Sequence, residues 1–486
     1  MKRLFFIAFI IFGSINYISA ETSFSLDSCR SMAINNNKSL KIATEKVKMS
    51  GYEKKSAFAN YFPNLDFTAG YVHSSKEISL LNEDQKNMLP NIGTQFSSPI
   101  SQYLQQLALV DPMLAAKLSP LFQGIGNALN AGGSSLVDAL RTDTRNIWGG
   151  TITLTQPIFM GGKIIAYNRI THYAEEIAEK QKDSSVKNIV FGVDETYWQI
   201  VSLSQKKKLA EEYLMLLDTL QYNINAMIEE GVATRSDGLT VAVKQNEAEI
   251  TLTKVNDGLS LSKMLLAQMC GIQIDSNFSL EDENKAFMGN NNNSVGKYNM
   301  EDVFAHREEI QSLDLATKIY ENKRRIELSN MLPNIALIGS YSFSSPNLFN
   351  GFEKKVDGLF NVGVVMRVPI FHTNDFFKIK AARSQKNIAQ FTLEEAKEKI
   401  ELQVNQAVFR VNEARKKLEM TTKNMEKAEE NLQNASVGFT EGLLTTTNVL
   451  EAQTAWLQAK SELLDSQIDV HLCDIYLTKA LGTMSY

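Results

Sequence analysis

The chain has 486 residues, of which 44% are hydrophobic and 22% charged, a balance typical of a folded protein rather than a disordered one. Its 55 acidic residues outnumber the 50 basic residues, and the net charge of -5 argues against nucleic acid as a partner. The low proline count of 9 favours long uninterrupted helices over a loop-rich all-β chain.

Residues 1–20 have the pattern of a secretory signal peptide. A basic pair precedes an apolar run from Leu4 to Phe12, and the small residues Ser19 and Ala20 stand before Glu21. The mature chain is therefore expected to be exported. No later stretch of about 18 apolar residues occurs, so no membrane-spanning helix is predicted and any insertion into a bilayer is expected to use strands.

Segments of the first half of the chain recur in the second half in the same order. The sequence FPNLDFTAGY at 62–71 returns as LPNIALIGSY at 332–341, and further segments around residues 153, 229 and 266 return in the same way. This self-similarity predicts two tandem repeats, 21–271 and 300–486, joined by a linker at 272–299.

Each repeat is predicted to begin with a helix, at about Leu26 to Asn60 and Met300 to Asn330. Pro63 and Pro333 end these helices, because the residue before a proline is pushed out of the helical region. Strands should follow at about 64–80 and 147–157 in the first repeat and at about 334–344 and 359–371 in the second.

The predicted strands alternate between apolar and polar or small residues. The apolar side carries Trp148, Gly150, Ile152 and Leu154 in one strand and Phe360, Val362, Val364, Met366, Val368 and Ile370 in another. The opposite side carries Gly149, Thr151, Thr153 and Thr155, and Asn361, Gly363 and Arg367. Strands of about ten residues are long enough to cross a bilayer when tilted, although the strands of a β-sandwich would have the same pattern.

Two long helical hairpins are predicted at 161–271 and 374–482. In the second, apolar residues step by three and four from Ile400 to Phe439, stop around Gly442 and resume from Val449. This heptad seam predicts helices that fold back on each other as antiparallel coiled coils. A plain structural coiled coil would show the same seam, but it would not need amphipathic strands at the same place in both repeats.

Four strands leave two sheet edges, and unpaired edge groups are not tolerated in hydrocarbon. Several copies are therefore expected to share one barrel in the outer membrane of a Gram-negative cell, with coiled coils continuing below it. With these features, and most densely at 438–484, the chain resembles the TolC family of outer membrane efflux proteins.

The resemblance implies a mainly α fold with membrane β-strands, in which a homotrimer forms a twelve-stranded β-barrel continued by a periplasmic α-barrel. It also implies partners: outer membrane lipid, a periplasmic adaptor (membrane fusion) protein, and an inner-membrane pump of the RND, ABC or MFS type. The sequence does not distinguish between the two kinds of cargo, which are small molecules in efflux and proteins in type I secretion.

The family's hairpin tips carry the adaptor contact, and by position these tips are Gly231, Val232, Ala233, Gly442, Leu443 and Leu444. For the periplasmic gate, the tyrosine of the family's lock falls on Phe439 and its arginine on Leu444. One constriction aspartate falls on Asn448, whereas the second constriction carboxylate is kept as Glu451 and the acid of the first repeat as Asp237.

The region 81–146 has no counterpart of similar length in the second repeat. Its apolar residues predict short amphipathic helices, and the strand order places it on the extracellular side, where it either caps the barrel mouth or packs on the rim.

No chemistry of an enzyme is recognisable. The five histidines are far apart, so no metal is expected, and no nucleophile or cofactor motif is present. The cysteines Cys29, Cys270 and Cys473 are too few for a disulfide framework and are interpreted as buried apolar residues. An exported coiled-coil scaffold or adhesin without a pore is the alternative to a transport duct.

Overall fold

The computed structural model of the protein describes residues 22–76, 80–140, 144–285, 298–349 and 355–485. The predicted signal peptide and part of the predicted linker lie outside these residues. The helices are α1 (Leu26–Asn36), α2 (Lys38–Ala59), α3 (Glu83–Met88), α4 (Ile92–Val110), α5 (Pro112–Ala139), α6 (Lys163–Glu229), α7 (Arg235–Cys270), α8 (Met300–His306), α9 (Glu308–Ser329), α10 (Thr373–Thr440) and α11 (Thr446–Ala480). The strands are β1 (Thr22–Phe24), β2 (Asn64–His73), β3 (Asn146–Met160), β4 (Phe278–Leu280), β5 (Asn334–Ser345) and β6 (Asp357–Arg367).

The chain divides into two compact units. A helical unit contains the described residues within Met1–Lys54, Arg169–Asn322 and Ala381–Tyr486, and a sheet unit contains those within Lys55–Asn168 and Lys323–Lys380. The mainly α fold with a small set of strands agrees with the fold class expected from the sequence.

In the sheet unit, the long strands pair in the order β2-β3-β5-β6, and every pair is antiparallel. The register places Phe67 opposite Ile152, Ile152 opposite Tyr341, and Tyr341 opposite Phe360. Because directly opposed residues share a face, one apolar row crosses all four strands.

Two strands are shorter than predicted and one is longer. The expected strand 64–80 ends at His73, since its partner β3 begins at Asn146 and offers no backbone groups beyond that point. The expected strand 359–371 ends at Arg367, two residues before Pro369, which has no N–H to donate. In contrast, β3 continues through Pro157 to Met160, with a register shift at the proline.

The insert also differs from its prediction. Two of its helices, α4 with 19 residues and α5 with 28, are longer than the short helices expected. They pack so closely that a Cβ built on Gly93 would lie 1.9 Å from the carbonyl oxygen of Gly126. Glycine is required at this crossing, because any side chain would collide with the opposing backbone.

The helix predicted to open each repeat is broken once, at Asn37 between α1 and α2 and at Arg307 between α8 and α9. Both residues are extended, with ψ of 127° and 114°. The side-chain amide of Asn37 donates to the carbonyl of Met269 (3.3 Å), near the end of α7. The broken geometry thus supplies a donor to a carbonyl that its own helix leaves free.

Arg307 has the corresponding role in the second repeat. Its guanidinium is buried and donates from Nη1 to the carbonyl of Ala480 (2.9 Å), the last residue of α11. A cation at a helix C-terminus also interacts favourably with the helix dipole. The single helices predicted at Leu26–Asn60 and Met300–Asn330 are therefore wrong at one residue each, for a reason that lies in distant partners.

The core of the helical unit begins where β1 and β4 pair in parallel, with Phe24 opposite Leu280. Beside them lies a cluster of buried side chains from α1, α6, α7 and β4, comprising Cys29, Ala33, Val193, Tyr197, Ile200, Val201, Leu266, Ala267, Cys270, Phe278 and Leu280. A polar pair ties α1 to α6 at the same level: Arg30 donates from Nε and Nη2 to the two carboxylate oxygens of Asp194 (2.7 and 2.6 Å).

The two arms of the second hairpin are antiparallel, as the heptad seam predicts. Arg415 of α10 pairs with Asp474 of α11 (3.2 Å), and two residues further along α10, Lys417 pairs with Asp469 (3.1 Å), which lies earlier in α11. The seam residues of α10 are buried, among them Ile400, Val404, Ala407, Val411 and Ala414. The coiled-coil interpretation of these segments is confirmed.

Candidate functional site

One face of the sheet is apolar across all four strands. The side chains of this apolar face are Leu65, Phe67, Tyr71, Trp148, Ile152, Leu154, Leu337, Tyr341, Phe360, Val362, Val364 and Met366. Large hydrophobic side chains on this face are exposed: Phe67 is 64% exposed and Val362 is 68% exposed. A contiguous apolar patch of this kind marks a surface that contacts lipid or another protein.

The opposite face of the sheet carries mostly polar and small side chains, with a few apolar ones such as Ile338, Leu359 and Val365 among them. One row across the strands consists of Asp66, Thr153, Ser340 and Asn361, each directly opposite the next. In the neighbouring row, the hydroxyls of Thr151 and Ser342 hydrogen-bond across β3 and β5 (3.0 Å). The alternation predicted for 147–156 and 359–370 is thus confirmed over β3 and β6, and the pairing extends it to the whole sheet.

The sheet has two open sides within the part of the chain that the structure describes. The strands β2 and β6 each have a neighbour on one side only. Backbone N–H and C=O groups along their outer sides are therefore available to pair with other strands.

A second surface consists of the two hairpin tips: the first tip at residues 230–234, between α6 and α7, and the second tip at 441–445, between α10 and α11. In both, a glycine adopts a left-handed conformation, with φ of 74° at Gly231 and 73° at Gly442. No atom lies within 4 Å of a Cβ built on either glycine, so the backbone conformation, rather than space, favours glycine here.

The residue after each glycine closes the turn. The N–H of Val232 donates to the carbonyl of Met227 (2.8 Å), and the N–H of Leu443 donates to the carbonyl of Gly438 (2.7 Å). This backbone pattern is the Schellman motif of helix ends. It leaves the Val232 and Leu443 side chains 72% and 80% exposed, so each tip presents one apolar side chain outward.

Asp237 and Asn448, both predicted at the gate, have the same local role at the start of α7 and α11. The backbone N–H and the hydroxyl of Thr234 donate to Oδ2 of Asp237 (2.9 and 2.6 Å). Thr445 donates in the same way to Oδ1 of Asn448 (3.1 and 2.6 Å). Both pairs are capping boxes, which satisfy N–H groups at a helix N-terminus.

The capping contacts have an electrostatic effect at the first tip. The hydrogen bonds from the Thr234 hydroxyl and backbone N–H lower the pKa of the Asp237 carboxyl below its usual value. The first tip therefore keeps a negative charge at mildly acidic pH, whereas Asn448 is neutral.

The other two predicted gate residues lie in different surroundings. Phe439 is buried in a cluster that joins the two hairpins next to the tips and includes Leu217, Ile224 and Val449. Glu451, on the first turns of α11, is exposed. The structure thus brings Phe439 together with the core, and the gate role of Asp237, Phe439, Asn448 and Glu451 stays a prediction.

Sequence reasoning missed the cap residues Thr234 and Thr445. Their spacing of three from Asp237 and Asn448 is the T-x-x-D and T-x-x-N pattern of a capping box, so the signal was present. The pair Arg30–Asp194 was also missed, and no local pattern marks it, because its members are 164 residues apart.

Neither a metal site nor a membrane-spanning helix is found in the described part of the chain. No group of three or more His, Cys, Asp or Glu side chains is placed to hold a metal ion. Among the same residues, no helix is long and apolar enough to cross a membrane.

The four-stranded sheet and the long helical hairpins recur in proteins of known structure, and part of the second half of the chain matches a known family. Residues 300–483 match the family model described as "Outer membrane efflux protein". The fold is similar to that of CusC, with a TM-score of 0.73 and 14% identity over 96% of this chain and 93% of that one. It is also similar to that of VceC from Vibrio cholerae, with a TM-score of 0.70 and 14% identity over 94% of this chain and 96% of that one. A third similar fold is that of the CmeC outer membrane channel from Campylobacter jejuni, with a TM-score of 0.71 and 13% identity over 94% of this chain and 85% of that one.

The solved structures are described as an outer membrane protein, an outer membrane channel and, for CusC, a protein that forms a transmembrane channel. At identities of 13% to 14%, the likeness to them concerns the fold. No curated protein sequence matches the chain significantly. Together with the family match, these comparisons confirm the resemblance to TolC family outer membrane efflux proteins.

Proposed function

We propose that the protein is an outer membrane channel that conducts substrates from a periplasmic adaptor and an inner-membrane pump to the exterior. The observation that carries this proposal is the continuous apolar face of the sheet, exposed on all four strands and backed by a polar face. A membrane barrel needs this division between a lipid side and a water-filled lumen. An exported scaffold or adhesin without a pore would not.

The open edges favour a homotrimer. In hydrocarbon, the backbone groups along β2 and β6 need partners, and one chain with four strands is too small to close a barrel. Three copies joined edge to edge supply twelve strands, with β6 of one copy beside β2 of the next. The insert at 81–146 would then lie on the extracellular side.

The hairpin tips favour a periplasmic adaptor as a partner. Each tip is a rigid backbone turn that presents one exposed apolar side chain, Val232 or Leu443, between capped helices. A preformed apolar contact loses little conformational entropy on binding. The pump selects the cargo, so the substrate class, small molecules or a secreted protein, follows from the partner.

The test is fractionation and reconstitution of the full-length protein. We expect heat-modifiable trimers in the outer membrane fraction and discrete conductance steps when these trimers are added to a planar lipid bilayer. A soluble monomer in the periplasmic fraction, with no conductance, would contradict the channel and favour the scaffold.

A charge at the second tip is expected to abolish transport. Leu443→Glu places a carboxylate on the most exposed apolar side chain of that tip, where it would be desolvated by an adaptor. The trimer should form in normal amounts, because the side chain has no role in the core. Transport is measured as resistance or secretion in cells that carry the matching adaptor and pump.

Thr422→Glu is the control for this change, since it adds the same charge to an exposed position of α10 about five turns from the tip. It should leave transport unchanged. Full transport by Leu443→Glu would show that the adaptor docks elsewhere.

The predicted gate can be tested through the current it carries. In a threefold assembly, three Glu451 carboxylates around the axis would form a negative ring, which holds a trivalent cation and blocks flow. We expect periplasmic addition of such a cation to block reconstituted trimers, and Glu451→Gln to lose the block. Glu430→Gln removes an exposed carboxylate elsewhere on the second hairpin and should keep it. Equal block in all three proteins would place the constriction away from Glu451.

A further inference from the structure

Two of the three cysteines lie together in the core of the helical unit. Cys29 is on α1 and Cys270 is the last residue of α7, 241 positions later. Each is 1% exposed, and both belong to the cluster beside the β1–β4 pair. The third cysteine, Cys473, packs against a different cluster and is only partly buried.

The two cysteines are in direct contact. The Cys270 thiol donates to the backbone carbonyl of Cys29, with Sγ 3.5 Å from the oxygen. Within the described residues, no third His, Cys, Asp or Glu completes a metal site around them. Two cysteines that contact each other in the core, with no ligand set for a metal around them, are placed to form a disulfide bond.

We propose that Cys29 and Cys270 form an intramolecular disulfide bond in the exported protein. The proposal rests on the export that belongs to the proposed function, because disulfides persist in oxidising compartments such as the periplasm. It replaces the interpretation of these two residues as simple apolar core residues.

The oxidant is a protein disulfide of the export compartment. The thiolate of one cysteine attacks a sulfur of that disulfide, forming a mixed disulfide and releasing the oxidant's other sulfur as a thiolate. The second cysteine, as its thiolate, attacks the first cysteine's sulfur, forms the Cys29–Cys270 bond and releases the remaining oxidant sulfur. Two protein thiols are oxidised, the oxidant is reduced to a dithiol, and the two protons lost by the cysteines pass to its thiolates.

The bond should form before the core closes. In the packed protein, both sulfurs are closed to a macromolecular oxidant, because each cysteine is only 1% exposed. Once made, the bond is protected from reductants by the same packing, and it ties α1 to the far end of α7 across a very long loop.

The test counts thiols in the full-length protein taken from cells. Cells are quenched in acid, free thiols are blocked with N-ethylmaleimide under denaturing conditions, and the chain is then reduced and labelled with a maleimide of added mass. We expect reduction to expose two new thiols per chain. No new thiols in the parental chain would overturn the proposal.

Single variants assign the bond. Cys29→Ala and Cys270→Ala should each expose no new thiol, whereas Cys473→Ala should still expose two. A tryptic fragment that joins the peptides of Cys29 and Cys270, and separates on reduction, should appear in the parental protein. Its absence alongside a link to Cys473 would also overturn the assignment.

A second arm separates this proposal from the channel function. Denatured, reduced protein is diluted into detergent with a glutathione redox buffer, and the Cys29–Cys270 link should form there without any export. A chain recovered from the outer membrane with three free thiols would overturn the disulfide and leave the channel. A linked chain found outside the outer membrane would retain the disulfide and contradict the channel.

Discussion

Replacing Arg30 with methionine is expected to lower the free energy of unfolding by about 3 to 5 kcal/mol. The substitution keeps most of the side-chain volume but leaves the Asp194 carboxylate, which is 0% exposed, without its bidentate partner. A buried charge with no partner is far more costly than the pair itself is stabilising. The effect can be measured as the shift in urea midpoint of the detergent-solubilised protein.

The same arginine provides the control. Asp27 also contacts Arg30 (3.2 Å), but its side chain is 89% exposed. Asp27→Asn should therefore cost less than about 1 kcal/mol, as exposed ion pairs do. Adding Asp194→Asn to Arg30→Met should recover part of the loss, because no buried charge remains. A loss at Asp27→Asn equal to that at Arg30→Met would contradict the role of burial.

The second large effect is expected in β6. Val364→Arg places a charge in the middle of the apolar face, which should cost about 2 to 4 kcal/mol if that face contacts lipid. The next residue provides a matched control: Gly363 points to the polar face, and no atom lies within 4 Å of a Cβ built on it. Gly363→Arg should cost little, since its side chain would extend into water.

The measurement for this pair is the amount of folded, heat-modifiable protein in the outer membrane. Val364→Arg should reduce it strongly and Gly363→Arg only slightly. A loss of the same size in both variants would mean that the two faces of β6 do not meet different solvents.

The features that sequence predicted well are those written in local periodicity. Alternation located β3 and β6 and assigned their faces, because a strand's side chains have a strict period of two. Apolar residues spaced by three and four located α10 and α11 and the turn at Gly442 between them. Prolines predicted the strand ends less well. Pro157 lies inside β3, whereas β6 ends at Arg367, two residues before Pro369. The outcome depends on whether the proline's missing N–H falls at a bulge.

The features that could not be predicted depend on residues far apart in the sequence. The breaks at Asn37 and Arg307 contain no proline or glycine, and they are stabilised by carbonyls at the ends of α7 and α11. The contact between Cys29 and Cys270 is of the same kind. At the tips, Gly231 and Gly442 lie in the turns between the long helices, where the sequence predicted the ends of the hairpins.

The open edges of β2 and β6 have a genetic consequence. In the proposed trimer, the edge strands of each chain pair with those of its two neighbours. A chain with a defective edge therefore prevents the barrel from closing even when the other two copies are parental. When such a chain and the parental chain are made in equal amounts, about one assembly in eight contains only parental copies. Variants at these edges should therefore be dominant, whereas variants that prevent the chain from folding at all should be recessive.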